Sequence, residues 1–210
     1  AMMLRSISHD LRTPLATIMG ASSMLADKDM PLSETEIREQ ANNIYRQSHL
    51  LSQHFDKVME LSRVQQPQSS MKVEPVAVSE VISAAIARRA ALLAQQPFTM
   101  QITTPDCVAD ATLLEIALAN MLENAVKHGQ QPVSIEFIQQ NGRFTLSVIN
   151  ATAAKRTAQR DSGTGLGTAI CQAVMHLHGG HFSAEADSAS EIFIARLCWP
   201  ENRLKGAPIG

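Results

Sequence analysis

Three clusters of side chains have the types and spacing to handle phosphate. The first is Ser8-His9-Asp10-Leu11-Arg12-Thr13-Pro14. A neutral histidine attacks phosphorus through one ring nitrogen when the other keeps its proton, and an adjacent carboxylate, here Asp10, holds that proton and fixes the tautomer. Thr13 falls one helical turn beyond His9, placed to orient a water against a phosphohistidine. The second cluster is Asn120, Asn124 and Lys127, spaced four and then three apart, which a helix aligns on one face opposite Leu114, Leu118 and Met121. Asparagine is a mediocre helix former, so two amides in mid-helix point to a task. An amide oxygen can ligate Mg2+ while Lys127 meets phosphate oxygens as a point charge. The third is Asp161-Ser162-Gly163-Thr164-Gly165-Leu166-Gly167, opening a helix. Its glycines let backbone amides approach phosphate at a positive helix terminus. Taken singly, these clusters also read as a solvated His-Asp pair, a polar helix face and an ordinary glycine turn.

Together, and in this order, they resemble the sensor histidine kinases of two-component systems. The heptapeptide around His9 is similar to that family's phospho-acceptor box. Asn120-Met121-Leu122-Glu123-Asn124-Ala125-Val126-Lys127-His128 is similar to its N box. Gly163-Thr164-Gly165-Leu166-Gly167, followed by Ile170 and His178-Gly179-Gly180, is similar to its second glycine box. The likeness runs from Ser6 to about Leu197. It implies a dimerising helical hairpin for phosphotransfer, followed by a Bergerat-type ATP-binding domain. By that resemblance His9 is the phosphorylated residue, Asp10 its acid/base partner and Thr13 the residue used in dephosphorylating a response regulator. Asn124 holds metal and phosphate, with Asn120, Lys127 and His128 lining the pocket. The implied cofactors are ATP and Mg2+, and the implied partners are a second copy of the chain and the receiver domain of a response regulator. The implied reaction is ATP-dependent phosphorylation of His9 and transfer to the regulator's aspartate.

The family pattern is interrupted at one place. Where it has Asp-x-Gly-x-Gly, with the Asp accepting from the adenine amino group, this sequence reads Asn150-Ala151-Thr152-Ala153-Ala154. An amide oxygen still accepts a hydrogen bond, but charge-assisted bonds are roughly twice as strong. Only twelve residues separate Asn150 from Gly163, none of them phenylalanine, so the family's aromatic lid segment is shortened. These departures raise an alternative: a degenerate kinase with weak ATP binding, acting as a phosphohistidine carrier, regulator phosphatase or scaffold.

The elements that must position these clusters follow from periodicity. Leu4, Ile7, Leu11, Leu15, Ile18, Ser22 and Leu25 mark one stripe of a helix from residue 3 to about 27. His9 lies two residues from both Ile7 and Leu11, about 200° around the helix from each, and so off that stripe. A break over Asp27 to Ser33 leads to Ser33-Glu34-Thr35-Glu36, a capping box. The second helix then runs to about Val64 on a seam of Ile37, Ala41, Ile44, Ser48, Leu51, Phe55, Val58 and Ser62. One hairpin covers each stripe on one side only, which a dimeric four-helix bundle would remedy. Gln65 to Ser70 reads as a linker. Beyond it the expected order is a strand at Met71–Val76, a helix at Ser79–Ala94, a strand at Phe98–Thr103 and a helix at Ala111–Lys127. Strands at Val133–Gln139 and Arg143–Ile149 follow, split by the hairpin signal Asn141-Gly142. A helix to His178 and strands at His181–Ala186 and Glu191–Leu197 close the chain. The expected class is α+β: a hairpin domain over 1–66, an α/β sandwich over 71–200 and a tail over 201–210.

Composition narrows the remaining possibilities. The 210 residues carry 18 Lys and Arg against 20 Asp and Glu, a net charge of −2, so no cationic surplus exists for a dedicated nucleic-acid binder. Cys107, Cys171 and Cys198 lack the spacing of a zinc site or disulfide framework and suit a reducing, cytoplasmic setting. The charge-free run Thr13 to Ala26 is too short for the roughly 20 apolar residues of a membrane span, so any membrane anchor is expected in segments outside this chain. His176, His178 and His181 straddle a helix end at which Gly179-Gly180 reads as the C-cap.

Overall fold

A computed structural model describes residues 2–65, 71–152, 165–187 and 189–201, with the side chains of 2–7, 9 and 10 outside the description. The described residues form two compact units, the first reaching Ser62 and including Gly165 and Leu166, the second taking the rest from Arg63 onward. In the first, α1 (Met2–Ala26) passes through the buried Pro14 without ending, and α2 (Glu34–Val64) follows. The capping box at the start of α2 is formed. The Ser33 hydroxyl and amide both donate to Glu36 Oε2, at 2.7 and 2.8 Å, and the Glu36 amide donates to Ser33 Oγ at 3.3 Å. The side-chain bond from Ser33, then the backbone bond, holds the Glu36 carboxyl below its ordinary range. Ile37 and Phe55, both on the expected seam, stay 47% and 53% exposed within one chain.

The second unit opens with β1 (Glu74–Ala77), α3 (Val78–Arg88), α4 (Ala90–Leu93), β2 (Phe98–Ile102) and β3 (Asp106–Ala109). Then come α5 (Ala111–His128), β4 (Gln130–Gln140), β5 (Arg143–Ala151), α6 (Leu166–Leu177), β6 (His181–Asp187) and β7 (Ile192–Pro200). Five strands make one sheet in the order β2-β4-β5-β7-β6, parallel only between β2 and β4, while β1 and β3 pair antiparallel in a small second sheet. The β4–β5 hairpin turns at Asn141 and Gly142, both with φ positive (52° and 73°), the geometry of a type I′ turn. Alternation puts Val133, Ile135 and Phe137, Phe144, Leu146 and Val148, and Leu197 and Trp199 on the buried face. The rings of Phe137, Phe144 and Trp199 pack with centroids 5.6 to 6.1 Å apart. The buried faces of α3, α5 and α6 supply Val81 and Ile82, Leu114 and Leu118, and Ile170 and Met175.

The α+β class holds, with two local corrections. The expected helix over 79–94 is broken at Arg89, whose φ of −128° and ψ of 39° separate α3 from α4. The stretch Asp106–Ala109, which carries no periodic signal of its own, is a strand because it pairs with β1 in register from Glu74↔Ala109 to Ala77↔Asp106. Within that strand the Cys107 thiol is pushed up to about 12 by burial and, secondarily, by Asp106, which makes it a packing group rather than a nucleophile. Among the described residues no helix is long and apolar enough to cross a membrane.

One buried histidine ties the helices together. The start of α5 is capped by Asp110, whose Oδ1 accepts from the Leu113 amide at 3.1 Å and whose Oδ2 accepts from the Lys72 amide at 2.9 Å. The Asp110 amide itself donates to His178 Nε2 at 3.0 Å, while His178 Nδ1 lies 2.8 Å from the Val174 carbonyl. An amide can only donate and a carbonyl only accept, so the ring carries its proton on Nδ1. His178 is therefore structural. The Gly179-Gly180 C-cap is formed too, as a Schellman motif in which Gly180 bonds back to the Met175 carbonyl and Gly179 to that of His176. Replacing His178 by Ala strands the Asp110 amide and opens a cavity beside Trp199. The expected loss is about 3 kcal/mol in urea unfolding with an unchanged m-value; a loss below about 1 kcal/mol would show that the ring does not hold α6 to α5.

Candidate functional site

The residues singled out for phosphate chemistry fall in both units. In α1, His9 sits one turn before Thr13; Ser8, Arg12 and Thr13 are exposed and Leu11 is half-buried. Thr17 Oγ1 donates to the Thr13 carbonyl at 3.3 Å, a back-bond common to hydroxyl residues in helices. The side chains of His9 and Asp10 lie outside the described residues, as do Gly163 and Thr164.

In the second unit α5 presents the asparagines, but not as a solvated face. Asn120 is fully buried, its Nδ2 donating to the Ile116 carbonyl one turn back at 2.9 Å. Asn124 is half-buried, and Lys127 and His128 are exposed in the last turn, where cations complement the helix dipole. The first turn of α6 lies directly against the asparagines. A Cβ built on Gly167 would stand 3.2 Å from Asn120 Oδ1 and 3.6 Å from Asn124 Nδ2. Gly167 is thus bare because the amides need its space. Gly165, just ahead of α6, meets nothing within 4 Å, and Leu166 is buried.

The other end of α5 meets the strand residue that stands where an aspartate was expected. Asn150 on β5 is buried, and its Nδ2 donates to the Ala151 carbonyl at 2.9 Å. A Cβ on Gly129, the residue that ends α5, would lie 2.1 Å from that Nδ2 and 2.5 Å from the Ala125 carbonyl. Only glycine fits there. Asn120, Asn124 and Gly167 thus gather at the middle of α5, and Asn150 with Gly129 at its C-terminal end.

Electrostatics add residues that motif reading passed over. Glu123, only 4% exposed, receives Lys127 Nζ at 2.6 Å on Oε1 and Arg89 Nε at 3.2 Å on Oε2. The Lys127 ammonium, expected to meet phosphate, is therefore also an ion-pair partner. The Glu-to-Lys spacing of four is a visible helix signal, and a glycine after a helix is a visible cap signal. Arg89 carries no local signal at all. Among the described residues, no cluster of three metal-ligating His, Cys, Asp or Glu side chains occurs.

Comparison with known proteins adds an independent line. Residues 1–67 match the family model described as the His Kinase A (phospho-acceptor) domain, and residues 109–201 match the histidine kinase-, DNA gyrase B-, and HSP90-like ATPase. The chain is 26% identical over 205 residues to sensor protein KdpD of Clostridium acetobutylicum, covering 87% of this chain and 23% of that protein. It is 24% identical over 237 residues to the cell-division control histidine kinase PdhS of Brucella canis, covering 96% of this chain and 22% of that one. The chain thus spans about a quarter of the length of these curated relatives. Two solved structures share the fold. The Acinetobacter baumannii histidine kinase AdeS superposes with a TM-score of 0.66 at 19% identity, covering 93% and 98% of the two chains. Histidine kinase ThkA, solved in complex with the response regulator TrrA, superposes with a TM-score of 0.67 at 17% identity, covering 95% and 61%.

The contact between Gly167 and Asn120 is directly testable. Gly→Ala in a helix is ordinarily worth up to about 1 kcal/mol of stability. Here Asn120 is held by Ile116 and cannot yield, so Gly167→Ala should give no gain in the natural background but a gain of about 0.5–1 kcal/mol once Asn120→Ala has removed the amide. A full gain in the natural background, read by urea unfolding, would refute the close packing.

Proposed function

Because the chain belongs to the sensor histidine kinases of two-component signalling, joining a phospho-acceptor domain to a histidine kinase-type ATPase domain, we propose that it binds ATP along α5 and phosphorylates His9. In this reading residues 1–66 are the dimerisation and phosphotransfer domain, 71–200 the catalytic domain and 201–210 a tail. The observation that carries it is the fit between α5 and α6: the bare backbone of Gly167 lies directly against the amides of Asn120 and Asn124, which brings the start of α6 to the asparagine face of α5.

The residues present suit the groups this chemistry needs. Asn124 offers an amide oxygen for Mg2+, with Asn120 behind it and Lys127 and His128 at the helix end. Mg2+, when bound there, neutralises phosphate charge. By the family resemblance, the sequence Gly163-Thr164-Gly165-Leu166-Gly167 supplies backbone amides for the phosphates. Asn150 accepts from the adenine amino group; with Nδ2 already given to the Ala151 carbonyl, the oxygen is the atom left to do so. At the acceptor, a ring nitrogen of His9 forms the new N–P bond as the bond between the γ-phosphorus and its bridging oxygen breaks, and ADP leaves. Asp10 holds the proton on the other nitrogen. The phosphoryl group then passes to an aspartate of a response-regulator receiver domain, and Thr13 orients water in the reverse, dephosphorylating direction. Catalysis rests on positioning and electrostatics, as for phosphoryl transfer generally.

A second copy of the chain is the proposed cover for the hairpin. Leu15, Met19, Ile37, Phe55 and Met59 are between 46% and 64% exposed, more apolar surface than a lone hairpin leaves bare without use. Sedimentation of Phe55→Glu should show a shift toward monomer; an unchanged dimer would place the interface elsewhere.

The central test uses labelled ATP. Acid-labile phosphate should accumulate on the natural chain and be absent from His9→Ala. By calorimetry Asn124→Ala should weaken ATP binding by about 10- to 100-fold, the cost of one polar contact to a charged group. Equal labelling of the natural chain and His9→Ala overturns the phosphotransfer reading.

A further inference from the structure

Phosphate recognition leaves one feature of α5 unaccounted for. A site meant for a polyanion is ill served by a carboxylate, yet Glu123 sits one residue before Asn124 and accepts from Lys127, the lysine aligned with it. An unneutralised carboxylate would repel phosphate and hold the Lys127 ammonium to itself. Glu123 is not unneutralised. It is 5% exposed at the side chain and shared with Arg89, itself only 22% exposed, while Lys127 is 37% exposed. The two cations are therefore unequal: one is sunk into the fold, and the other reaches solvent from the last turn of α5.

The backbone at Arg89 points the same way. The run Ala87-Arg88-Arg89-Ala90-Ala91 contains no glycine or proline, and its residues favour helix. The helix nevertheless breaks at Arg89, the residue whose guanidinium bonds Glu123. Its neighbour Arg88 pairs separately with Glu115 at 3.1 Å. A local preference for continuous helix has been overridden where the second cation is delivered to Glu123.

We propose that Arg89 is a positioning residue that sets the charge with which the site meets phosphate. By neutralising Glu123 from below, it leaves Lys127 as the surplus positive charge beside Asn124. The triad carries one net positive charge with Arg89 and none without it. This inference rests on the reading of α5 as the nucleotide site, and it adds a residue from outside every motif.

The test compares ATP with adenosine, which shares the base and ribose but has no charge, by calorimetry on the full chain. Arg89→Met should lower ATP affinity by about tenfold, the worth of one charged contact, and leave adenosine within about twofold. Glu123→Gln should shift the ATP-to-adenosine ratio the opposite way, because the triad then gains a charge. The double variant should return the ratio to its natural value. A purely structural role for Arg89 would weaken both ligands alike, and the double variant would not recover. An unchanged ratio in Arg89→Met or in Glu123→Gln overturns the inference while ATP binding by the natural chain stands. If Arg89→Met fails to fold, the sign of the Glu123→Gln shift decides. Failure of the natural chain to bind ATP overturns the nucleotide reading and this inference with it.

Discussion

Helix α5 is buried along most of its length, from Leu114 to Ala125, and yet carries Asp110 at its start and Asn120 and Glu123 in its middle. A buried polar group without a partner costs about 1–3 kcal/mol, more if charged. The second unit is arranged around meeting that demand. Asp110 caps the helix and fixes the incoming chain through the Lys72 amide. His178 reaches from the end of α6 to the Asp110 amide. Asn120 bonds back to Ile116, and Glu123 draws in Arg89 and Lys127. The contacts to Lys72, His178 and Arg89 also fix the position of a neighbouring element, so satisfying α5 and assembling the sheet-and-helix layer are linked.

The same arrangement shows how the proposed nucleotide site is built from so few residues. Gly167 brings α6 against Asn120 and Asn124, and Gly129 brings β5 against the end of α5. In both places a missing side chain, rather than a present one, sets the spacing. Two backbone approaches thereby define the two ends of one helix face, with half-buried Asn124 between them. Polar groups there are held by the fold before any ligand arrives, which is what electrostatic recognition of phosphate requires.

The hairpin follows a different logic. Its caps are local, as at Ser33 and Glu36, and its apolar residues are left substantially exposed within one chain. His9 stands on the regular backbone of such a helix.

What the sequence alone determined is what depends on neighbours a few residues away. The capping box at Ser33, the Asn141-Gly142 hairpin, the Gly179-Gly180 cap, and the helices α1, α2 and α5 all rest on spacings of two to four residues, and all of these elements are present. The family resemblance was legible for the same reason, since its motifs are contiguous. The tertiary structure decided what depends on distant partners. Strand β3 has four residues and exists only because β1 lies alongside it. The break falls at Arg89, which pairs with a residue 34 positions away, and the role of His178 rests on a bond spanning 68. Spacing aligns Asn120 with Asn124 and Lys127, yet Asn120 is fully buried while Lys127 is exposed, because periodicity reports which residues share a side of a helix, not what will be packed against it.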